Sequence, residues 1–379
     1  MDDNRIGEIY FDHAATTPVD PLVLEAMTPF FGLVYGNPSM SYRQGSVAKM
    51  AIERARRSIS MCLGGSEGNI FFTGGGTEGN NWALQGLVRG NGIRDVITSP
   101  LEHASVLSTL KALARWEGIQ VHYVSINEQG EVDYADLELL LRRFPHALVS
   151  LMHGNNEIGN ITDIVRVGLL CRQYGTLYHT DMVQTVGYVD LDLSSLPVDV
   201  CTGSAHKFYG PKGVGFLYLR AGVKIEPLLH GGGQERGLRG GTENVALIIG
   251  MAKALSLATA DRVTQYRHVE GLKRYCIKKL ERADFAVCFH GACSDFTKSL
   301  PHILNIGLPD SKLGDTLLLH LDIAGIAASA GSACMSGVSG PSHVLRALGV
   351  SDDCPRLRIS FGRYNTREEI LQLLKRIAS

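Results

Sequence analysis

Lys207 ends the run Ser204-Ala205-His206-Lys207, which directly follows an apolar stretch at residues 198–202. A lysine held partly out of water has a lowered pKa, and its free amine forms Schiff bases. The plainer reading is a solvated lysine at a strand end. Asp181 ends another apolar stretch, in His179-Thr180-Asp181-Met182-Val183-Gln184. A carboxylate there either caps the following turn or pairs with a buried cation, such as a protonated ring nitrogen. Gly74-Gly75-Gly76-Thr77-Glu78-Gly79-Asn80-Asn81 follows a strand pattern and opens a helix pattern. Its glycines expose backbone N–H groups, and a helix N-terminus favours an anion. The run is therefore a phosphate site or a tight strand–helix turn. No Gly-Lys-Ser/Thr follows, so it is not a P-loop, and it lacks the dinucleotide fingerprint. Cys334 lies within Ser329-Ala330-Gly331-Ser332-Ala333-Cys334-Met335-Ser336-Gly337. Such a stretch of small residues can carry a reactive thiol to a site; the alternative is an inert surface cysteine. His103 starts a helix pattern after a strand, either as a cap or as a catalyst. No His-Glu-x-x-His or comparable spacing exists, so no metal site is expected.

The elements around these residues alternate. Strand patterns fall at 69–73, 95–98, 121–124, 147–152, 177–181, 198–202 and 215–219. Helix patterns fall at 78–89, 105–116, 134–142 and 161–174, and Asp20-Pro21 starts an earlier one. This alternation predicts an α/β fold with a mainly parallel sheet covered by helices on both faces. Ligands of such sheets bind beyond the carboxyl ends of the strands. The chemistry-bearing residues all follow strands. After about residue 255 the texture changes to two long helices, 243–259 and 263–283, and then to short elements. Thr366-x-x-Glu369 predicts a capping box for a last helix at 367–377. The division expected is a large domain at 15–255 and a smaller C-terminal α/β domain at 256–379, with residues 1–14 packing on the latter.

Composition narrows the function classes. The chain has 379 residues, 45% hydrophobic and 20% charged, which is ordinary for a globular protein. The net charge of −1 gives no reason to expect nucleic acid or a membrane surface as partner. No apolar run is long enough to cross a membrane, and the acidic N-terminus lacks the features of a secretory signal. The eight cysteines form no Cys-x-x-Cys pair, which suits a reduced, cytoplasmic protein. Glycine is in excess, at 43 residues, where an average usage of ~7% gives about 27. The excess is clustered at Gly74–76, Gly231–233 and Gly240–241, where backbone can approach a ligand closely.

Taken in order, these segments resemble the cysteine desulfurases, relatives of the class V aminotransferases with the pyridoxal-phosphate (PLP) fold type I. The likeness begins at Tyr10-Phe11-Asp12-His13-Ala14-Ala15-Thr16-Thr17-Pro18 and Gly36-Asn37-Pro38-Ser39. It continues through Thr77 to Asn81, Glu102-His103 and Met152-His153-Gly154-Asn155-Asn156-Glu157. It then passes Asp181 to Gln184, Ser204 to Lys207, and His230-Gly231-Gly232-Gly233-Gln234-Glu235-Arg236-Gly237. It ends with Arg239-Gly240-Gly241-Thr242, the Cys334 stretch and Arg358-Ile359-Ser360-Phe361-Gly362-Arg363. Departures are Tyr42 and Gly79, where histidine and alanine are usual, Gly75-Gly76 before Thr77, and Met335 after the cysteine. The chain also ends soon after its last helix, without the longer tail that docks a scaffold protein in some relatives.

The resemblance implies a role for each residue. Lys207 would carry PLP and move the substrate Cα proton. Asp181 would keep the pyridine nitrogen protonated. His103 would stack on the ring and take part in proton transfer. Gln184 would bond the phenolic oxygen, and Asn156 would position cofactor and substrate. Gly76, Thr77, Ser204 and His206 would hold the phosphate, and Thr242 would reach the phosphate of the partner in a homodimer. Arg358 would clamp the substrate carboxylate. Cys334 would take the sulfur of L-cysteine as a persulfide, release L-alanine, and pass the sulfur to an acceptor protein for iron–sulfur cluster assembly or tRNA thiolation. A selenocysteine lyase or a class V aminotransferase is the alternative. A catalytically silent sulfur carrier should have lost Lys207 or Asp181, and both are present.

Overall fold

Alternating strand residues face two different cores, and this fixes the architecture. A computed structural model describes residues 8–311, 313–330, 342–351 and 354–378. A short strand, β1 (Ile9–Tyr10), precedes the main sheet. That sheet holds β2 (Ile70–Thr73), β3 (Asp95–Thr98), β4 (Gln120–Tyr123), β5 (Leu148–Ser150), β6 (Leu177–Asp181), β7 (Val200–Ser204) and β8 (Gly215–Leu219). Their order is β2-β8-β7-β6-β5-β3-β4. The pairings β3–β4, β3–β5, β5–β6 and β6–β7 are parallel, while β8 is antiparallel to both β7 and β2. Among the seven, only β8 therefore runs the other way.

Side chains alternate along each strand, so a sheet covered on both faces feeds two cores. Val96, Leu148, Val200 and Leu217 pack on one face with Trp82, Leu87, Val106 and Leu110 from helices Gly76–Asn91 and Ala104–Glu117. Ile97, Val149, Cys201 and Phe216 face the other way. They meet Ile52, Ile59, Val167 and Met251 from helices Arg43–Cys62, Ile164–Tyr174 and Val245–Ala260.

The sequence pattern assigns no element to residues 43–62, yet they form a 20-residue helix. Ala48, Ile52, Ala55 and Ile59 keep helical spacing on its buried face. The arginines at 54, 56 and 57 obscure that stripe, and Arg56 is itself buried. The strand expected at 147–152 is shorter, because the chain turns after Ser150 and Met152 N–H donates to the Glu102 carboxylate at 2.8 Å. The strand expected at 198–202 runs to Ser204, two residues nearer Lys207.

Residues beyond 260 contribute β9 (Cys288–His290), β10 (Ile303–Gly307), β11 (Ile326–Ala327) and β12 (Arg356–Ser360). Three of these form an antiparallel sheet in the order β12-β10-β9. β1 pairs in parallel with β11, and Ile9 and Phe11 join a core made otherwise of residues 269–377. The capping box at Thr366 and Glu369 opens helix Arg367–Ile377 where the sequence predicts it.

Candidate active site

Every strand that runs with β6 ends on the same edge of the main sheet. Asp181 ends β6, Ser204 ends β7, and β2 runs into Gly74–Gly76. His103 and Met152–Asn156 follow β3 and β5 on that edge. These segments line one cleft of about 190 Å³. Of the site residues expected from sequence, it gathers Gly76, Thr77, His103, Asn156, Asp181, Gln184, Ser204, His206, Lys207 and Arg358. Thr242 is not brought to it; it is exposed on the loop before helix Val245–Ala260. Cys334 lies outside the described residues.

Lys207 closes a short 3-10 turn, Ala205–Lys207, after β7. Its Nζ donates to the carbonyl oxygens of Ala14 at 2.5 Å and Ala15 at 2.8 Å, which aims the amine into the cleft mouth. Asp181 is buried. One carboxylate oxygen accepts from Val183 N–H at 2.9 Å and the other from the Asn80 side chain at 2.6 Å. Asp181 thus caps its turn and presents a buried carboxylate to the cleft. Asn80 also donates to Ser105 at 2.9 Å and accepts from Thr202 at 2.6 Å. Sequence reasoning passed over Asn80. Its signal is the spacing of four from Gly76, which puts a polar residue on the buried face of an otherwise apolar helix.

His103 is the N-cap of helix Ala104–Glu117, with Nδ1 accepting from Ser105 N–H at 3.1 Å. The cap leaves the ring at the cleft wall, so here too the structural and functional readings are compatible. Beside it, Glu102 is fully enclosed, and burial pushes its carboxyl well above the usual range. His206 contacts Thr16 Oγ1 through Nδ1 at 3.1 Å. Burial, aided by the charges of Lys207 and Lys212, takes its pKa down to about 4. Its imidazole is therefore neutral at neutral pH.

Arg358, on β12, crosses into the cleft from the C-terminal sheet. Its guanidinium donates to Asp12 at 2.6 Å and to the Asn156 carbonyl at 2.8 Å. Its buried Nε has no hydrogen-bond partner among the described residues. His343 also lines the cleft and donates through Nε2 to the Glu102 carbonyl at 2.9 Å. Neither Asp12 nor His343 stands out in the sequence, because each acts through contacts made hundreds of residues away.

The glycine turn is built to stay open. Gly75 has φ 145°, and a Cβ on Gly76 would come within 2.6 Å of Val183 Cγ2. Gly74 N–H is taken by Glu78 at 2.8 Å, and Arg239 holds Glu78 at 2.9 Å. The next N–H groups open a 16-residue helix and have no intrahelical acceptor. Gly79 is a packing residue: a Cβ there would lie 2.8 Å from Thr202 Cγ2, so helix and β7 approach closely. An open helix N-terminus, a buried carboxylate and a lysine amine in one cleft form a donor set that fits PLP.

The aminotransferase class-V family model matches residues 9–373. The cysteine desulfurase IscS of Clostridium botulinum is 41% identical over 372 residues, covering 97% of this chain and 93% of that protein. A solved NifS-like protein superimposes with a TM-score of 0.89 at 38% identity, covering 98% of each chain. SspA, solved in complex with cysteine, superimposes with a TM-score of 0.80 at 32% identity, over 94% of this chain and all of that one. The chain belongs to the aminotransferase class-V family. Within it, it falls with the cysteine desulfurases, PLP-dependent enzymes of fold type I that take sulfur from L-cysteine.

Proposed function

We propose that the cleft binds PLP on Lys207 and that the sulfur of L-cysteine ends as a persulfide on Cys334. The observation that carries this reading is the convergence of Lys207, Asp181, His103, Gln184 and Arg358 on one cleft. When bound, PLP supplies an electron sink for the pair left on substrate Cα. Asp181 would hold a proton on the pyridine nitrogen, and Asn80 fixes its carboxylate. Gly76, Thr77, Ser204 and His206 would hold the phosphate, and neutral His206 could donate one hydrogen bond there. Gln184 offers an N–H to the phenolic oxygen. Arg358, steadied by Asp12, has guanidinium edge left for the substrate carboxylate, and Asn156 packs beside it. Lys207 Nζ would take the substrate Cα proton, and His103 would serve proton transfer beside it.

The thiolate of Cys334 then attacks the substrate sulfur. The S–S bond forms as the substrate C–S bond breaks, the C–S electron pair stays on the three-carbon fragment, and protonation at Cβ and Cα releases it as L-alanine. A thiol is required because a hydroxyl cannot hold a transferable sulfur. The persulfide passes to an acceptor protein in the cytoplasm, for iron–sulfur cluster assembly or tRNA thiolation. The active species is a homodimer in which Thr242 reaches the partner's phosphate site. Its support is the exposed apolar run of Phe31, Leu33 and Tyr35, adjoining the Thr242 loop through the Gln234–Ser39 contact at 3.5 Å. Residues 15–255 and 256–379 act as two domains, with the N-terminal segment on the second.

Borohydride reduction of the holoenzyme followed by peptide mapping tests the cofactor assignment. The expected result is the cofactor mass on the peptide containing Lys207 and its loss in Lys207→Ala. Cofactor mass on another lysine of the wild type contradicts the site.

A further inference from the structure

His302 lies just before β10, fully buried behind the cleft, and no role has yet been given to it. Its ring stacks on Tyr188, with centroids 3.9 Å apart and planes at 14°. Its Nε2 is 3.4 Å from Gln184 Oε1. An amide oxygen can only accept, so Nε2 carries the hydrogen and Nδ1 the bare lone pair. Nδ1 is buried and has no partner among the described residues. Burial holds the ring neutral, and the charges of Lys273, His13, Lys207 and Arg358 around it act in the same direction. The tautomer is thereby fixed with a donor facing Gln184.

The consequence falls on Gln184. Its Nε2 donates to the Ala14 carbonyl at 2.9 Å, the same oxygen that accepts Lys207 Nζ at 2.5 Å. With Oε1 turned to His302 and one N–H on Ala14, the remaining N–H is the donor the amide offers to the cleft. We propose that His302 is a positioning residue whose Nε2–H locks the Gln184 amide so that a donor, not an oxygen, faces the phenolic oxygen of PLP. This rests on the reading of Gln184 given above. A donor on that oxygen withdraws the negative charge that keeps a proton on Lys207 Nζ. Losing the donor therefore moves the pH midpoint of the cofactor's visible band upward.

The test compares visible absorbance against pH for the holoenzyme and three variants, with thermal unfolding measured alongside. In His302→Gln the amide nitrogen reaches as far as the imidazole Nε2, so the wild-type midpoint is expected. In His302→Asn the donor is one bond short, and the midpoint should rise by about half to one pH unit, the scale of one neutral hydrogen bond. Gln184→Leu should move it in the same direction. An unmoved midpoint in His302→Asn, or an equal rise in His302→Gln, overturns the proposal. An unmoved midpoint in Gln184→Leu overturns the Gln184 reading and the proposal with it.

Discussion

At the scale of single residues, the site is a set of groups whose neighbours decide what they can do. Lys207 was legible only through the ordered set of motifs around it, since a lysine at a strand end is ordinarily solvated. Asn80 was not, because its function is to hold another residue's carboxylate. Removing it leaves a buried Asp181 oxygen without its donor. Asn80→Ala should therefore destabilise the protein by about 1–3 kcal/mol, the cost of an unsatisfied buried acceptor. Urea unfolding of wild type and variant measures this; equal stabilities contradict the account of Asn80. His103 shows why a structural and a functional reading need not compete. Its Nδ1 caps a helix while the ring lines the cleft. His343 and Asp12 could not be found from sequence, because their partners lie 241 and 346 positions away.

At the scale of elements, strand alternation identified the sheet and placed the site at its carboxyl edge. Periodicity failed where charge is buried, and helix Arg43–Cys62 is the instance. Arg56 on that helix bonds Glu235 through both terminal nitrogens at 2.8 Å. Glu235 also accepts from Phe72 N–H on the edge strand β2 at 2.9 Å. One buried carboxylate thus ties the helix, the sheet edge and the loop leading to Thr242 together, and it closes a strand edge that would otherwise offer a free N–H. Glu235 stands at φ 44°, a left-handed conformation retained because this pairing holds it. Glu235→Ala removes the buried partner of Arg56, which keeps Glu53 at 3.2 Å, and leaves the Phe72 N–H without its acceptor, so it should cost about 1–3 kcal/mol. Chemical denaturation reads that loss, and a change under about 1 kcal/mol contradicts the structural role.

At the scale of the whole molecule, buried histidines set the response to acid. Burial takes His13, His153, His179 and His206 from the ordinary 6.5 to about 4. Between these values the unfolded chain binds protons that the folded chain refuses. Their contribution is complete above about pH 6.5 and is lost as pH falls toward about 4. Glu102 opposes this, since its raised carboxyl keeps a proton that the unfolded chain releases. His290 and His302 are lowered as well, and Asp199 and Glu243 are raised. Six histidines outweigh three carboxyls, so the urea midpoint should fall between near-neutral pH and about pH 5. A flat midpoint across that interval contradicts the burial of the neutral rings. The chemistry depends on the whole molecule as well. Its cleft takes residues from the main sheet and from β12. Sulfide and alanine release from L-cysteine, with a thiol reductant present, tests the central claim most directly when wild type is compared with Cys334→Ala. The account predicts release by wild type and its loss in the variant, while the cofactor's yellow absorbance stays. Equal release by both proteins, or none from either with cofactor bound, would contradict Cys334 as the sulfur acceptor.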